Sequence, residues 1–157
     1  MENTLGEIFN VQSIKLDLTG DTKETALSEL IDLLSVSNPD CDCKELFSTI
    51  MEHENKMSMG IGNGVAIPHA SCKGIERMKG AIGISKKGID YNAMDKKPVH
   101  VIFLLATNHQ SNENYLRNLN LIFRLAASEA LGLIRKAKSA EEIHSILSRV
   151  KLNTRSY

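Results

Sequence analysis

The stretch Pro98–Ala106, "PVHVIFLLA", restricts the possible folds of this chain more than any other. Successive side chains of a strand point to opposite faces of a sheet, so a strand that is apolar at nearly every position needs cover on both sides. A central strand with helices above and below is therefore expected. "VQSIKLDL" (Val11–Leu18) and "GAIGISK" (Gly80–Lys86) read as further strands from their near-alternation and β-branched content. "GVAIPHA" (Gly64–Ala70) reads as extended, because the residue before a proline, here Ile67, is driven out of the helical region.

The helices announce themselves by caps and stripes. Asp21 is expected to cap a first helix, with Glu24 at the spacing of a capping box and Ala26, Leu27, Leu30, Ile31 and Leu34 on one face. Asp42 with Glu45 opens a second, which buries Leu46, Phe47, Ile50 and Met51. In the last third, Leu116, Leu119, Ile122, Phe123 and Ala126 form one stripe, and "EALGLIRKA" continues the helical pattern after Ser128. Ser139 with Glu142 caps a final helix that buries Ile143, Ile146, Leu147 and Val150. This order of elements predicts a layered α/β domain around a mixed sheet. At 157 residues the chain suits one domain with one core, and residues 1–157 read as a single unit.

Charge and composition exclude several partners. Lys and Arg number 19, as do Asp and Glu, so the basic face that nucleic acid requires is not expected. The longest apolar run, "VIFLLA", is far short of the roughly 20 residues that span a bilayer. The N-terminus has no basic segment leading into an apolar one, so no signal peptide is read and a cytoplasmic protein is expected. Cys41 and Cys43 form a CxC with no second half, and Cys72 stands apart; reduced, structurally incidental thiols are the expectation.

One stretch carries possible chemistry: "MGIGNGVAIPHA", Met59 to Ala70. Gly60, Gly62 and Gly64 do not make a nucleotide loop, because neither a Gly-Lys-Ser/Thr ending nor a helix start follows. They are expected to allow positive φ and close backbone approach. The stretch delivers one imidazole, His69. An imidazole can act as base, metal ligand or phosphoryl-accepting nucleophile. No HxH, HExxH or HxxxH spacing accompanies it, and no G-x-S-x-G elbow supplies a serine nucleophile, so no metal or cofactor is expected. Histidine as nucleophile and an ordinary structural turn both remain open from these residues alone. Of the other histidines, His144 reads as a solvent-exposed helix flank and His100 as a hydrogen-bonded structural residue. His53 and His109 are kept as possible neighbours of His69.

"GIGNGVAIPHA" resembles the signature of the mannitol/fructose-type enzyme IIA domains of the bacterial phosphotransferase system (PTS). The resemblance extends through "ALSELIDLL", "ELFSTIMEHE", "GIDYNAMDKKPVHVIFLLAT" and "YLRNLNLIFRLAAS". It implies a three-layer α/β/α sandwich around a mixed sheet. It also implies that His69 accepts a phosphoryl group from an HPr-type phosphocarrier and passes it on. Read as a single domain with no appended membrane or IIB segment, the chain is most similar to the stand-alone nitrogen-regulatory IIA proteins. A regulated protein is then the implied downstream partner. A soluble fructose- or mannitol-specific IIA, serving a IIB component in sugar transport, is the sister reading.

Glu54, Ser58, Gly60, Gly62, Asn63, Gly64 and Pro68 match the family pattern, and Ser58, Gly62, Asn63, Gly64 and Pro68 are expected to bind phosphate or shape the site. The family usually has an arginine sixteen residues before the phosphorylated histidine, where this chain has His53. Tyr115 replaces a common second histidine, and Met59 a usual threonine. Phosphoryl transfer depends largely on positioning and charge neutralisation, and a histidine or tyrosine supplies no permanent cation. Slow transfer, or a partner-binding regulator with weak or lost phosphorylation, is thus an alternative expectation. Lys56, Lys73, His109 and Arg117 are candidate compensating groups, and Met57, Met59 and Ile61 candidate apolar parts of a carrier-docking patch.

Overall fold

A six-stranded mixed sheet runs through the middle of the computed structural model, which describes residues 4–108 and 113–150. Its long strands are β5 (Lys79–Ile89) and β6 (Val99–Thr107), which pair antiparallel. The short β1 (Ile14–Lys15) runs parallel to β5 on one side. On the other side of β6 lie β3 (Val65–Ala66) and β4 (His69–Ser71), both parallel to it, and β2 (Gly60–Gly62) closes a hairpin antiparallel to β3.

β6 has the two-sided cover that its sequence demands, with every residue from Val101 to Thr107 buried. Val101, Phe103 and Leu105 point into one core with Leu5, Ile8 and Phe9 of the N-terminal turn. That core also takes residues from three helices, α4 (Glu113–Ala126), α5 (Ala130–Lys136) and α6 (Ala140–Arg149). Ile102, Leu104 and Ala106 point the other way, against α2 (Lys23–Ser37) and α3 (Cys43–Lys56). Period-two alternation in one strand thus produces two cores and a three-layer α/β/α sandwich.

Several local expectations are corrected. The first cap is Thr22, not Asp21. Thr22 Oγ1 accepts the Thr25 amide at 3.1 Å and Thr25 Oγ1 accepts the Thr22 amide at 3.1 Å, so two threonines make the capping box assigned to Asp21 and Glu24. The strand expected over Val11–Leu18 shrinks to Ile14–Lys15, preceded by a 3₁₀ turn at Val11–Ser13. Glu29 of α2 holds the segment that follows: it accepts the Thr19 and Gly20 amides at 3.0 and 2.9 Å and pairs with Lys15 at 2.6 Å. A four-residue helix, α1 (Leu5–Ile8), was too short to show as a periodicity.

α4 is rotated from the expected stripe. Tyr115, Asn118, Leu121, Ile122, Leu125 and Ala126 face inward, while Leu116 is 58% and Phe123 38% exposed. Two apolar stripes one residue apart compete on this helix, and the one carrying the tyrosine packs. Asp42 and Ser139 cap α3 and α6 as expected, accepting the amides of Glu45 and Glu142. The α2 face is buried as read, whereas Phe47, Met51, Ile146 and Val150 are only partly covered. His144 is not a free surface residue: its Nε2–H donates to the Gly6 carbonyl at 3.0 Å and ties α6 to α1. His100 is hydrogen-bonded as expected, donating from Nδ1 to the Ser85 carbonyl at 2.8 Å.

Candidate functional site

His69 owes its position to a broken strand. β3 and β4 lie end to end along β6, with Val65 opposite Val101 and His69 opposite Leu105. Pro68 separates them because it has no amide hydrogen to give the ladder, although its carbonyl still accepts the Leu105 amide at 2.9 Å. His69 opens β4 near the carboxyl end of β6, the edge at which open α/β sheets place their ligands.

The imidazole is oriented by the chain two residues earlier. Its Nδ1 lies 2.7 Å from the Ile67 carbonyl, which can only accept, so Nδ1 carries the proton. In the neutral ring this leaves the lone pair on Nε2. Burial lowers the His69 pKa from its ordinary value, and nearby His53 lowers it further. The Ile67 hydrogen bond and the Glu54 charge act in the opposite direction without reversing the shift. The side chain is therefore a neutral, half-buried imidazole with a defined tautomer and one available nitrogen.

Three residues from separate parts of the chain meet around it. His53, in the last turn of α3, directs Nδ1 at the His69 carbonyl 3.4 Å away. Tyr115, in the first turn of α4, sets its ring 6.2 Å from the imidazole at 54°. Burial raises the Tyr115 pKa, so its hydroxyl stays protonated. Met59 offers its thioether sulfur, a weak acceptor, to the His69 amide at 3.3 Å.

Below this group lies a network that sequence reasoning only half found. Glu54, its side chain fully buried, accepts the Met59 amide at 3.1 Å, the Tyr91 hydroxyl at 2.9 Å and the Lys23 ammonium at 3.1 Å. Lys23 also lies 4.6 Å over the Tyr91 ring. Glu54 lies in a stretch that matches the family pattern, whereas Lys23 and Tyr91 come from distant sequence and carry no local signal. Together they fix the base of the hairpin next to His69.

Positive φ is found at two of the three glycines expected to adopt it, Gly62 and Gly64, but not at Gly60. Gly62, Asn63 and Gly64 all have positive φ (98°, 57° and 75°) and form the tight turn of the β2–β3 hairpin. That turn lies beside His100, beyond Val101, whereas His69 pairs with Leu105. Four residues of strand separate the two, about 13 Å. The turn builds the hairpin, and the Asn63 amide donates to Asp95 at 3.2 Å. Ser58 is also occupied with backbone: it accepts the Gly60 amide at 3.1 Å and donates to the Tyr91 carbonyl at 3.5 Å.

Among the candidate compensating cations, Lys56 is exposed and pairs with Glu52 at 3.5 Å, Lys73 is exposed, and Arg117 is half-buried on α4. His109 lies outside the described residues. Met57 is 75% exposed, whereas Met59 and Ile61 are half-buried. Among the described residues no cluster of three or more His, Cys, Asp or Glu side chains could hold a metal ion, and no helix is long and apolar enough to cross a membrane.

Residues 7–150 match the family model described as "Phosphoenolpyruvate-dependent sugar phosphotransferase system, EIIA 2". The chain belongs to the PTS EIIA type 2 family. It is 29% identical over 143 residues to the fructose-specific EIIABC component of Bacillus subtilis, a match that covers 90% of this chain and only 22% of that longer protein. It is 27% identical over 147 residues to the fructose-specific EIIA component of Haloferax volcanii, covering 93% of this chain and 96% of the relative. The nitrogen regulatory protein IIA-Ntr of Neisseria meningitidis superposes with a TM-score of 0.78 at 28% identity, covering 91% of this chain and 98% of the other. The chain is thus an EIIA-type phosphotransferase component with a three-layer α/β fold.

Proposed function

We propose that this EIIA domain accepts a phosphoryl group on Nε2 of His69 from an HPr-type phosphocarrier and passes it to a downstream protein. One observation carries the reading: the 2.7 Å contact between Nδ1 and the Ile67 carbonyl, in a ring that burial keeps neutral. The Nε2 lone pair attacks phosphorus, the donor's P–N bond breaks, and its electron pair returns to the donor imidazole. The ring of His69 gains positive character as the bond forms, and the Nδ1–H bond to Ile67 stabilises it. His53 holds the strand that carries the nucleophile, and the protonated phenol of Tyr115 flanks it. Neither replaces the permanent charge of an arginine, so transfer is slower than in a domain that has one.

The setting is cytoplasmic and the role regulatory, in line with the similarity to IIA-Ntr over nearly the whole of both chains. The match to a separate fructose EIIA of similar length favours a sugar-specific IIA acting on a IIB component as the second reading. Incubation with phosphoenolpyruvate, enzyme I and an HPr-type carrier should add one acid-labile phosphoryl group by intact mass. His69→Ala should abolish it. No mass gain with a cognate carrier would leave a non-phosphorylated partner-binding regulator instead.

A further inference from the structure

Three thiols lie together on the side of the sheet covered by α2 and α3, away from any role in phosphoryl transfer. Cys41 precedes α3, Cys43 begins it, and Cys72 follows β4 directly. Cys41 and Cys72 are buried, and their sulfurs are 3.3 Å apart although the residues are 31 positions apart in sequence. The two loops that carry them are clamped by backbone. The Asp42 amide donates to the Lys73 carbonyl at 3.2 Å, and Gly74, at a φ of 87°, presses so close to the Asp40 carbonyl that no side chain fits there. The Cys72 amide is anchored in turn on the Thr107 carbonyl of β6 at 2.7 Å. The sulfurs are thus held in contact by a scaffold that does not depend on them.

We propose that Cys41 and Cys72 form a reversible intrachain disulfide by exchange with small-molecule disulfides such as oxidised glutathione. Closing from 3.3 Å to a bond of about 2.05 Å brings the sulfurs together by about 1.3 Å. The Cys41 thiolate attacks one sulfur of the reagent and releases one thiol. The Cys72 thiolate then attacks Cys41 Sγ of the mixed disulfide and releases the second. The reagent's S–S bond is reduced as the protein's forms, and the two protons leave with the released thiols. Burial pushes both thiols up, and the neighbouring Cys72 pushes Cys41 further. Both therefore rest protonated, and exchange is slow at neutral pH. A cavity of about 390 Å³ opens beside Pro39, Asp40, Gly74 and Ile75, on the two loops that carry the cysteines. The link would tie the segment before α3, whose far end carries His53 and Glu54, to the residue after the strand that carries His69.

The folded chain is incubated with oxidised glutathione, alkylated, and cleaved before Asp42 and with trypsin, which puts Cys41, Cys43 and Cys72 on separate peptides. The expected product joins the Cys41 and Cys72 peptides with the loss of two hydrogen atoms, is released by dithiothreitol, and forms equally in Cys43→Ser. Cys72→Ala should lose it. A chain in which only Cys43 is modified, a Cys41–Cys43 product, or a Cys41–Cys72 link that appears only in denaturant would each overturn the proposal.

Discussion

At the residue scale the site comes down to one imidazole and what holds it. His69 was legible because its surroundings are local: Pro68 and the Ile67 carbonyl are its chain neighbours. The network beneath it was not legible, because Lys23 and Tyr91 reach Glu54 from 31 and 37 residues away. Lys23→Met would leave the Glu54 carboxylate buried without its cation, and should cost about 3 kcal/mol in chemical denaturation. Lys56→Met, which removes an exposed partner of Glu52, should cost at most about 0.5 kcal/mol. Equal effects would mean that the buried pair adds nothing. The imidazole itself has a pKa lowered mainly by burial. Its NMR titration should therefore fall below the ordinary histidine range, and the neutral nucleophile should persist as pH drops through about 6.5. A midpoint at or above that value would contradict a desolvated ring.

At the scale of elements, helix starts and faces were readable only where one signal dominated. The α2 stripe admits one orientation and was found. α4 offers two stripes one residue apart, and packing around Tyr115 selects between them. The start of α2 held two cap candidates, and the reciprocal Thr22–Thr25 pair displaces Asp21. Thr22→Ala should lower stability by about 1 kcal/mol, whereas Asp21→Ala should change it by less than about 0.5 kcal/mol; the reverse order would restore the sequence reading. Glu29 ties the loop before α2 to the same helix. Burial raises its pKa, but Lys15, Gly20 and Thr19 outweigh that and bring it down to about 2 from 4.5. Its folded pKa is depressed, so its contribution is fully present above 4.5 and lost as pH falls toward about 2. Glu29→Gln should remove that part of the acid sensitivity.

At the scale of the whole molecule, the two-sided apolar strand already required three layers. The sequence could not show that β3 and β4 share one edge of β6, with the glycine turn at one end and His69 near the other. Motif residues adjacent in sequence are spread out by an extended chain along its own length. Gly62→Ala, at a φ of 98°, should cost roughly 1–2 kcal/mol of stability while leaving the rate of His69 phosphorylation within about twofold. A variant of native stability with a collapsed rate would place the turn in the site after all.

The most direct test of the central claim is to phosphorylate the ¹⁵N-histidine-labelled domain and assign the ring nitrogens of His69 by NMR. Expected are phosphorus on Nε2, a proton retained on Nδ1 and, before phosphorylation, the neutral Nδ1–H tautomer. Phosphorus on Nδ1, or an unphosphorylated ring protonated at Nε2, would contradict it.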